Sequence, residues 1–365
     1  MELNKIILAF DSFKGSLSAE EAVNAASLAI KESCRDIEII GLPLADGGEG
    51  TTDALKRFMD ADMVSARVHD PLMRPMEAQY AVSRDGNTAI MEMAAAAGLI
   101  LLSQAERDPM KTSTYGVGEM ILDAKRRGCN KIIIGIGGSA TNDGGLGMLA
   151  ALGAGIYCGS ERIDKPCGAD LARVTSIKLD SVSKLGIQVI CDVNNPLFGP
   201  EGAAHVFAAQ KGASPKQIEI LDSGLRNLAD VCGLDPEQPG SGAAGGLGYG
   251  LMLIGADIRP GSEAIIELSG LDRHMDGASL VITGEGSIDS QTLCGKLPSA
   301  VMKCAARHNI PTIAVAGKVK DKERLIAAGF KDIIQITPDD MPLEQAMQKD
   351  MAAGNLRRAI STILK

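Results

Sequence analysis

Five short stretches of the 365-residue chain gather acids, amides, hydroxyls and lysines among glycines. They are DSFKGS (11–16), ADGGEGT (45–51), GGSATNDGGLG (137–147), DVNNPLFG (192–199) and GEGSIDSQTLCGK (284–296). Glycine permits positive φ and lets backbone N–H groups approach a ligand, and a helix beginning beyond such a loop adds the positive end of its dipole. That combination favours an anion, and phosphate is the commonest biological one. Asn142 and Asp143 add ligands suited to a metal or a substrate hydroxyl. A divalent cation calls for oxygens such as those of Asp46, Glu49, Asp143, Asp192, Glu285 or Asp289, while Lys14 and Lys296 suit charge developing on phosphate. Taken singly, any of these loops is equally well a tight turn. Taken together they predict metal-assisted phosphoryl transfer.

Each loop follows an apolar run, and in an open parallel sheet the carboxyl ends of the strands share one side, so loops of this kind converge at a crevice. KIILAF (5–10) reads as a buried strand. Ser18 and Glu21 then form a capping box for a helix whose Ala22, Val23, Ala26, Ala29 and Ile30 share a face. A strand at 37–43 and a helix at 52–59 repeat the β-loop-α plan. From about residue 65 the texture changes to short strands at 66–68, 77–82 and 88–91, with an Asp85-Gly86 turn, and a later helix ends at Gly128. A strand at 187–193 leads into the fourth loop, and GSGAAGGLGYG (240–250) makes a glycine-rich turn before a helical stretch at 251–256. Strands at 279–283, 312–316 and 332–336 restore the first texture, closing on a terminal helix. The reading is α/β: a discontinuous Rossmann-like parallel-sheet domain from both chain ends (1–65 and 262–365) and a different, inserted mixed α/β domain (66–261), with an active-site cleft between. GGLG occurs at 144–147 and again at 245–248, which reads as local reuse of one turn.

The composition excludes several classes of function. A net charge of −9 opposes a general nucleic-acid or membrane-surface binder, whose partners are themselves anionic. Eight cysteines without a CxxC pair, and four histidines without HExxH, give no zinc motif and suit a reducing cytoplasm. Neither a signal peptide nor a membrane span is evident. Aromatic residues are only 3% and Trp is absent, so the core is aliphatic. No GxxxxGK[ST] occurs, because Leu297 follows Gly295-Lys296, and no protein-kinase catalytic loop is present. Gly135, Gly137 and Ala140 match GxGxxA, which keeps an NAD-dependent oxidoreductase open as an alternative, although Glu161 and Asp164 do not end an evident strand as a ribose-binding acid should. A non-catalytic sugar-acid sensor is the other alternative.

The segments DSFKGSLSA (11–19), LPLADGGEGT (42–51), GIGGSATNDGGLGMLAALGA (135–154), CDVNNPLFGP (191–200) and TGEGSIDSQTLCGK (283–296) resemble the bacterial glycerate kinase family, in the family's order and across nearly the whole chain. The resemblance implies ATP-dependent phosphorylation of D-glycerate, most often at the 2-hydroxyl to give 2-phosphoglycerate, with the 3-hydroxyl as the alternative. It also implies two different α/β domains, one of them Rossmann-like and built from both chain ends. Within that frame Asp192 is expected to accept the hydroxyl proton, with Asp11 as second choice, and Lys14 to meet phosphate or the glycerate carboxylate. Ser12, Asn142, Asp143 and Asn194 are expected at the substrate. Gly137, Gly138, Ser139, Thr141 and Lys296 are expected at nucleotide phosphates, and Asp46, Glu49, Glu285 and Asp289 form the pool for Mg2+. Expected partners are ATP and glycerate, with neither nucleic acid nor membrane, and a homodimer is allowed. Whether the 137–147 loop holds nucleotide phosphate or glycerate is left open by the sequence.

Overall fold

The structure is a computed structural model that describes residues 3–13, 15–34, 36–44, 51–182 and 184–364. Lys14, Asp46 and Glu49, each expected at the site, lie outside them. In chain order the strands are β1 (Lys5–Phe10), β2 (Glu38–Pro43), β3 (Ala61–His69), β4 (Pro75–Ser83), β5 (Thr88–Glu92), β6 (Lys131–Gly135), β7 (Gly155–Cys158), β8 (Glu161–Arg162), β9 (Ser176–Lys178), β10 (Gly186–Ile190), β11 (Asp257–Arg259), β12 (Leu280–Ile288), β13 (Thr312–Val319) and β14 (Asp332–Gln335).

Two compact units emerge, Met1–Asp46 with Gly261–Lys365, and Gly47–Pro260. The first unit is thus assembled from both chain ends, but the first crossing comes earlier than the 65/66 boundary suggested by the change of texture. The helix Thr51–Phe58 goes with the second unit, where the amide of Thr52 donates to Glu92 Oε1 at 2.8 Å. Its sequence resembles any αβ helix, and only that docking reveals its allegiance.

The first unit is a five-stranded sheet in the order β14-β13-β12-β1-β2, parallel throughout. Ile6 to Phe10 are fully buried, as befits a central strand covered on both faces. The helix Ala19–Ser33 begins at the expected box: Ser18 Oγ accepts from the amide of Glu21, and Glu21 Oε2 accepts from the amide of Ser18. All five residues of its apolar face are buried with Ile6 and Leu8, and Leu356 and Ile360 of the C-terminal helix Lys349–Ile363 join the same core.

In the second unit six strands run in the order β11-β10-β6-β5-β4-β3. β3, β4 and β5 pair antiparallel, whereas β5, β6, β10 and β11 are parallel. The carboxyl ends of those four strands therefore share one edge. A three-stranded sheet, β8-β7-β9, completes the unit.

Candidate functional site

In the first unit the chain winds from β1 outward to β2, and from β12 outward in the other direction through β13 to β14. The reversal falls between β1 and β12, and the crevice beyond the carboxyl ends of strands at such a reversal is where open α/β sheets take ligands. A pocket of about 620 Å3 lies there, within the range of ligand sites. Ser12, Phe13 and Ser16 line it after β1, Glu285 to Ser287 at the end of β12, Gly317 and Lys318 on β13, and residues 335–339 around the end of β14. Met341, Leu343 and Met347 give it an apolar side.

Asp11 and Ser12 are positioned by the junction of β1 with β12: the amide of Asp11 donates to Gly284 O at 3.0 Å, and Asp11 Oδ1 accepts from the amide of Ser12 at 2.6 Å. Asp11 is buried. The expected loop at 284–288 is instead a continuation of β12, paired with β13 through Ser287↔Lys318 and Ile288↔Val319. Gly284 makes this possible, since a Cβ there would collide with the Val315 carbonyl. Glu285 is buried beside the pocket and accepts from Thr292 Oγ1 at 3.1 Å. Asp289 caps the short helix Ser290–Cys294, accepting from the amide of Gln291 at 2.9 Å. Lys296 is the N-cap of the 11-residue helix Leu297–Arg307 and lines the pocket. Lys296 therefore brings a cationic residue and the positive end of this helix to the edge of the pocket. Among the described residues no group of three or more His, Cys, Asp or Glu is arranged to hold a metal.

In the second unit the 137–147 loop leaves β6 beside the 192–199 loop, which leaves β10; Gly135 faces Ile190 across the ladder, and the amide of Ile136 donates to Ile190 O at 3.3 Å. Asp192 and Asn194 are exposed, as are Gly137 and Gly138, and Ser139 is half-buried. Deeper in the loop, Thr141, Asn142 and Asp143 are fully buried. Asp143 Oδ2 accepts from Thr114 N and Thr114 Oγ1, both at 2.8 Å, and from Gly147 N at 3.1 Å, while Oδ1 accepts from Gly145 N at 3.0 Å. Burial pushes this carboxyl's pKa up and the donors oppose that shift. Four donors and no acceptor suit the ionised form. Its oxygens are thus committed to tying the loop to Thr114 and to the helix Leu146–Ala151, which is at odds with the expected contact to substrate.

The GxGxxA match fails as a dinucleotide fingerprint, because the helix starts only at Leu146, with Gly145 as its N-cap, rather than on the motif's own glycines. The two GGLG segments prove to be partners. Gly144 N donates to Gly245 O at 3.0 Å, and a Cβ on Gly246 would lie 2.9 Å from the Gly144 Cα. The helix Ala243–Leu253 accommodates this contact through left-handed residues at Ala244, Gly245 and Gly246, so helix begins before the expected 251 and ends short of 256.

One residue without any signal in the sequence sits behind this loop. Lys211, in the segment AAQKGAS, is 2% exposed. Its Nζ donates to Ser139 Oγ at 2.6 Å and to Thr141 O at 2.7 Å. Burial lowers its pKa to about 7, against the attraction of Asp143. Lysine in a polar stretch ordinarily reads as a solvated surface residue, and no spacing marks this one.

The profile of the glycerate kinase family matches residues 6–365. A glycerate kinase of Bacillus subtilis is 41% identical over 94% of this chain and 93% of its own length. Escherichia coli glycerate 2-kinase is 42% identical over 87% of this chain and 86% of its own. The crystal structure of a Salmonella typhimurium protein provisionally described as glycerate kinase 2 superposes with a TM-score of 0.87 at 41% identity, covering 100% of this chain and 98% of that one. Among the described residues no helix is long and apolar enough to cross a membrane. With a profile spanning the whole of its fold and relatives this close, the chain belongs to the glycerate kinase family.

Proposed function

We propose that the protein transfers the terminal phosphoryl group of ATP to the 2-hydroxyl of D-glycerate, giving 2-phosphoglycerate and ADP. Membership of the family supports the reaction, and the 42% identity to a glycerate 2-kinase supports the position. The observation that carries the reading is the pocket at the strand reversal of the first unit, where Lys296 and the start of an 11-residue helix adjoin an apolar wall. A nucleotide presents both an anionic and an apolar flat part, and the pocket offers a surface for each.

The residues fit ATP, which supplies the phosphoryl group when bound. Lys296, Ser12 and the amides near Gly286 are proposed to hold phosphate oxygens, and Lys14 is proposed for the same role. Met341, Leu343 and Met347 would cover the base. In the second unit the exposed Gly137–Ser139 segment is proposed to hold an anionic oxygen of a substrate. Asp192, with Asn194 beside it, is proposed to accept the proton of the glycerate hydroxyl, and Asp11 to order Ser12. Glu285 and Asp289, with Asp46 and Glu49, are the proposed pool for Mg2+, a cation commonly bound by one or two carboxylates plus phosphates rather than by an all-protein cage. The reaction is expected to proceed in a cytoplasmic setting.

The test is an ADP-release assay with ATP, magnesium and D-glycerate, followed by phosphorus NMR of the product. ADP formed only with glycerate, together with a 2-phosphoglycerate resonance, is the expected result. A 3-phosphoglycerate resonance would overturn the position, and silence in the assay would overturn the activity.

A further inference from the structure

A lysine nitrogen that donates to a hydroxyl takes that oxygen's lone pair and leaves the O–H to donate elsewhere, whether the nitrogen carries three protons or two. Lys211 stands in this relation to Ser139, with its Nζ 2.6 Å from the hydroxyl oxygen. Its second bond, to Thr141 O, fixes the nitrogen against the same loop. Among the described residues no acceptor is found for the Ser139 hydroxyl. Ser139 is half-buried, and the neighbouring Gly137 and Gly138 are exposed. An independent sign of an incomplete polar site lies next along the chain: Thr141 Oγ1 and both side-chain polar atoms of Asn142 are buried without a partner. Such orphans are rare and call for an explanation.

We propose that Lys211 is a positioning residue that turns the Ser139 hydroxyl into a polarised donor for an anionic oxygen of a bound substrate. The inference rests on the reading that the 137–139 segment meets a substrate anion, and it adds the group that prepares the segment to do so. A carboxylate of glycerate and a phosphate of the nucleotide present the same chemistry here. The two are separated by which substrate's KM responds.

The experiment is steady-state kinetics on Ser139→Ala, Ser139→Thr, Lys211→Met and the double variant Ser139→Ala/Lys211→Met. Losing a hydrogen bond to a charged group should raise the KM of one substrate about tenfold or more in Ser139→Ala. Ser139→Thr keeps the hydroxyl and should rescue most of that. Lys211→Met should raise the same KM, and the double variant should be no worse than the more affected single one, because both remove one interaction. Lys211→Gln retains an N–H donor and should fall between wild type and Lys211→Met, which keeps the proposal testable if methionine is not tolerated. A folded Lys211→Met with both KM values at wild type would overturn the inference while leaving the loop reading intact, as would multiplicative losses in the double variant. An unchanged KM for both substrates in Ser139→Ala would overturn the loop reading and the inference with it.

Discussion

At the scale of single residues, the same chemical type carries opposite roles according to burial. Asp192 is exposed just beyond the end of a strand, while Asp143 is sealed and tied to four donors. Asp192→Asn is therefore expected to lower kcat by about a hundredfold or more with KM for glycerate little changed; near-normal turnover would remove it as the base. Lys211 gives a second expectation. Its native pKa of about 7 lies below the ordinary lysine value of 10.5, so between these two pH values the unfolded chain holds a proton that the native one has released. Stability gains from this residue as pH rises through that window. Urea unfolding at pH 7 and pH 9 should show wild type gaining on Lys211→Met, and an unchanged difference would mean that the ammonium stays charged when buried. The sequence showed which residue types were present around 137–147 but not which of them are sealed. That distinction depends on Thr114 and Lys211, which fold onto the loop from elsewhere in the chain.

Secondary elements were more legible, because their signals are local. The capping box at Ser18, the apolar face of the first helix and the apolar run of β1 all lie where periodicity and side-chain chemistry place them. Boundaries that depend on a neighbour were not readable: β12 runs on to Ile288 because β13 offers partners as far as Val319, and the helix Ala243–Leu253 starts in left-handed backbone because it meets another loop. The paired GGLG segments are the sharpest case, since only the fold reveals that they touch. Gly246→Ala meets two obstacles, a φ of +86° and a Cβ 2.9 Å from the Gly144 Cα. It should cost about 2 to 4 kcal/mol. Gly159→Ala, with φ of +60° and open space around it, isolates the backbone part and should cost about 1 kcal/mol. Equal losses in denaturant unfolding would show that the glycine contact is not tight.

For the whole molecule, the decisive property is that one unit is closed by two distant parts of the chain. Leu356 and Ile360 share a core with Ile6 and Leu8, and Arg357 pairs with Glu32 at 2.6 Å. A chain ending at Met347 should consequently lose amide protection in β1 and β2 while β5 and β6 keep theirs, as read by hydrogen exchange. Retained protection in β1 would mean that the C-terminal helix is dispensable to the core. The change of texture along the sequence indicated this discontinuity, but the helix Thr51–Phe58 carries no mark of the unit it joins, so the crossing at 46/47 could not be read. The pairing of β1 with β12 also bears on how the protein is made. Ile6 leaves the ribosome long before its partner Leu280 is translated. At roughly 5 to 20 residues per second the interval is on the order of tens of seconds. Throughout that time KIILAF is an apolar strand with one edge unsatisfied, while the intervening unit has the time to fold first. The nascent chain is thus exposed to edge-to-edge association at its first strand, and this protein's demand on chaperones should fall on its first ten residues.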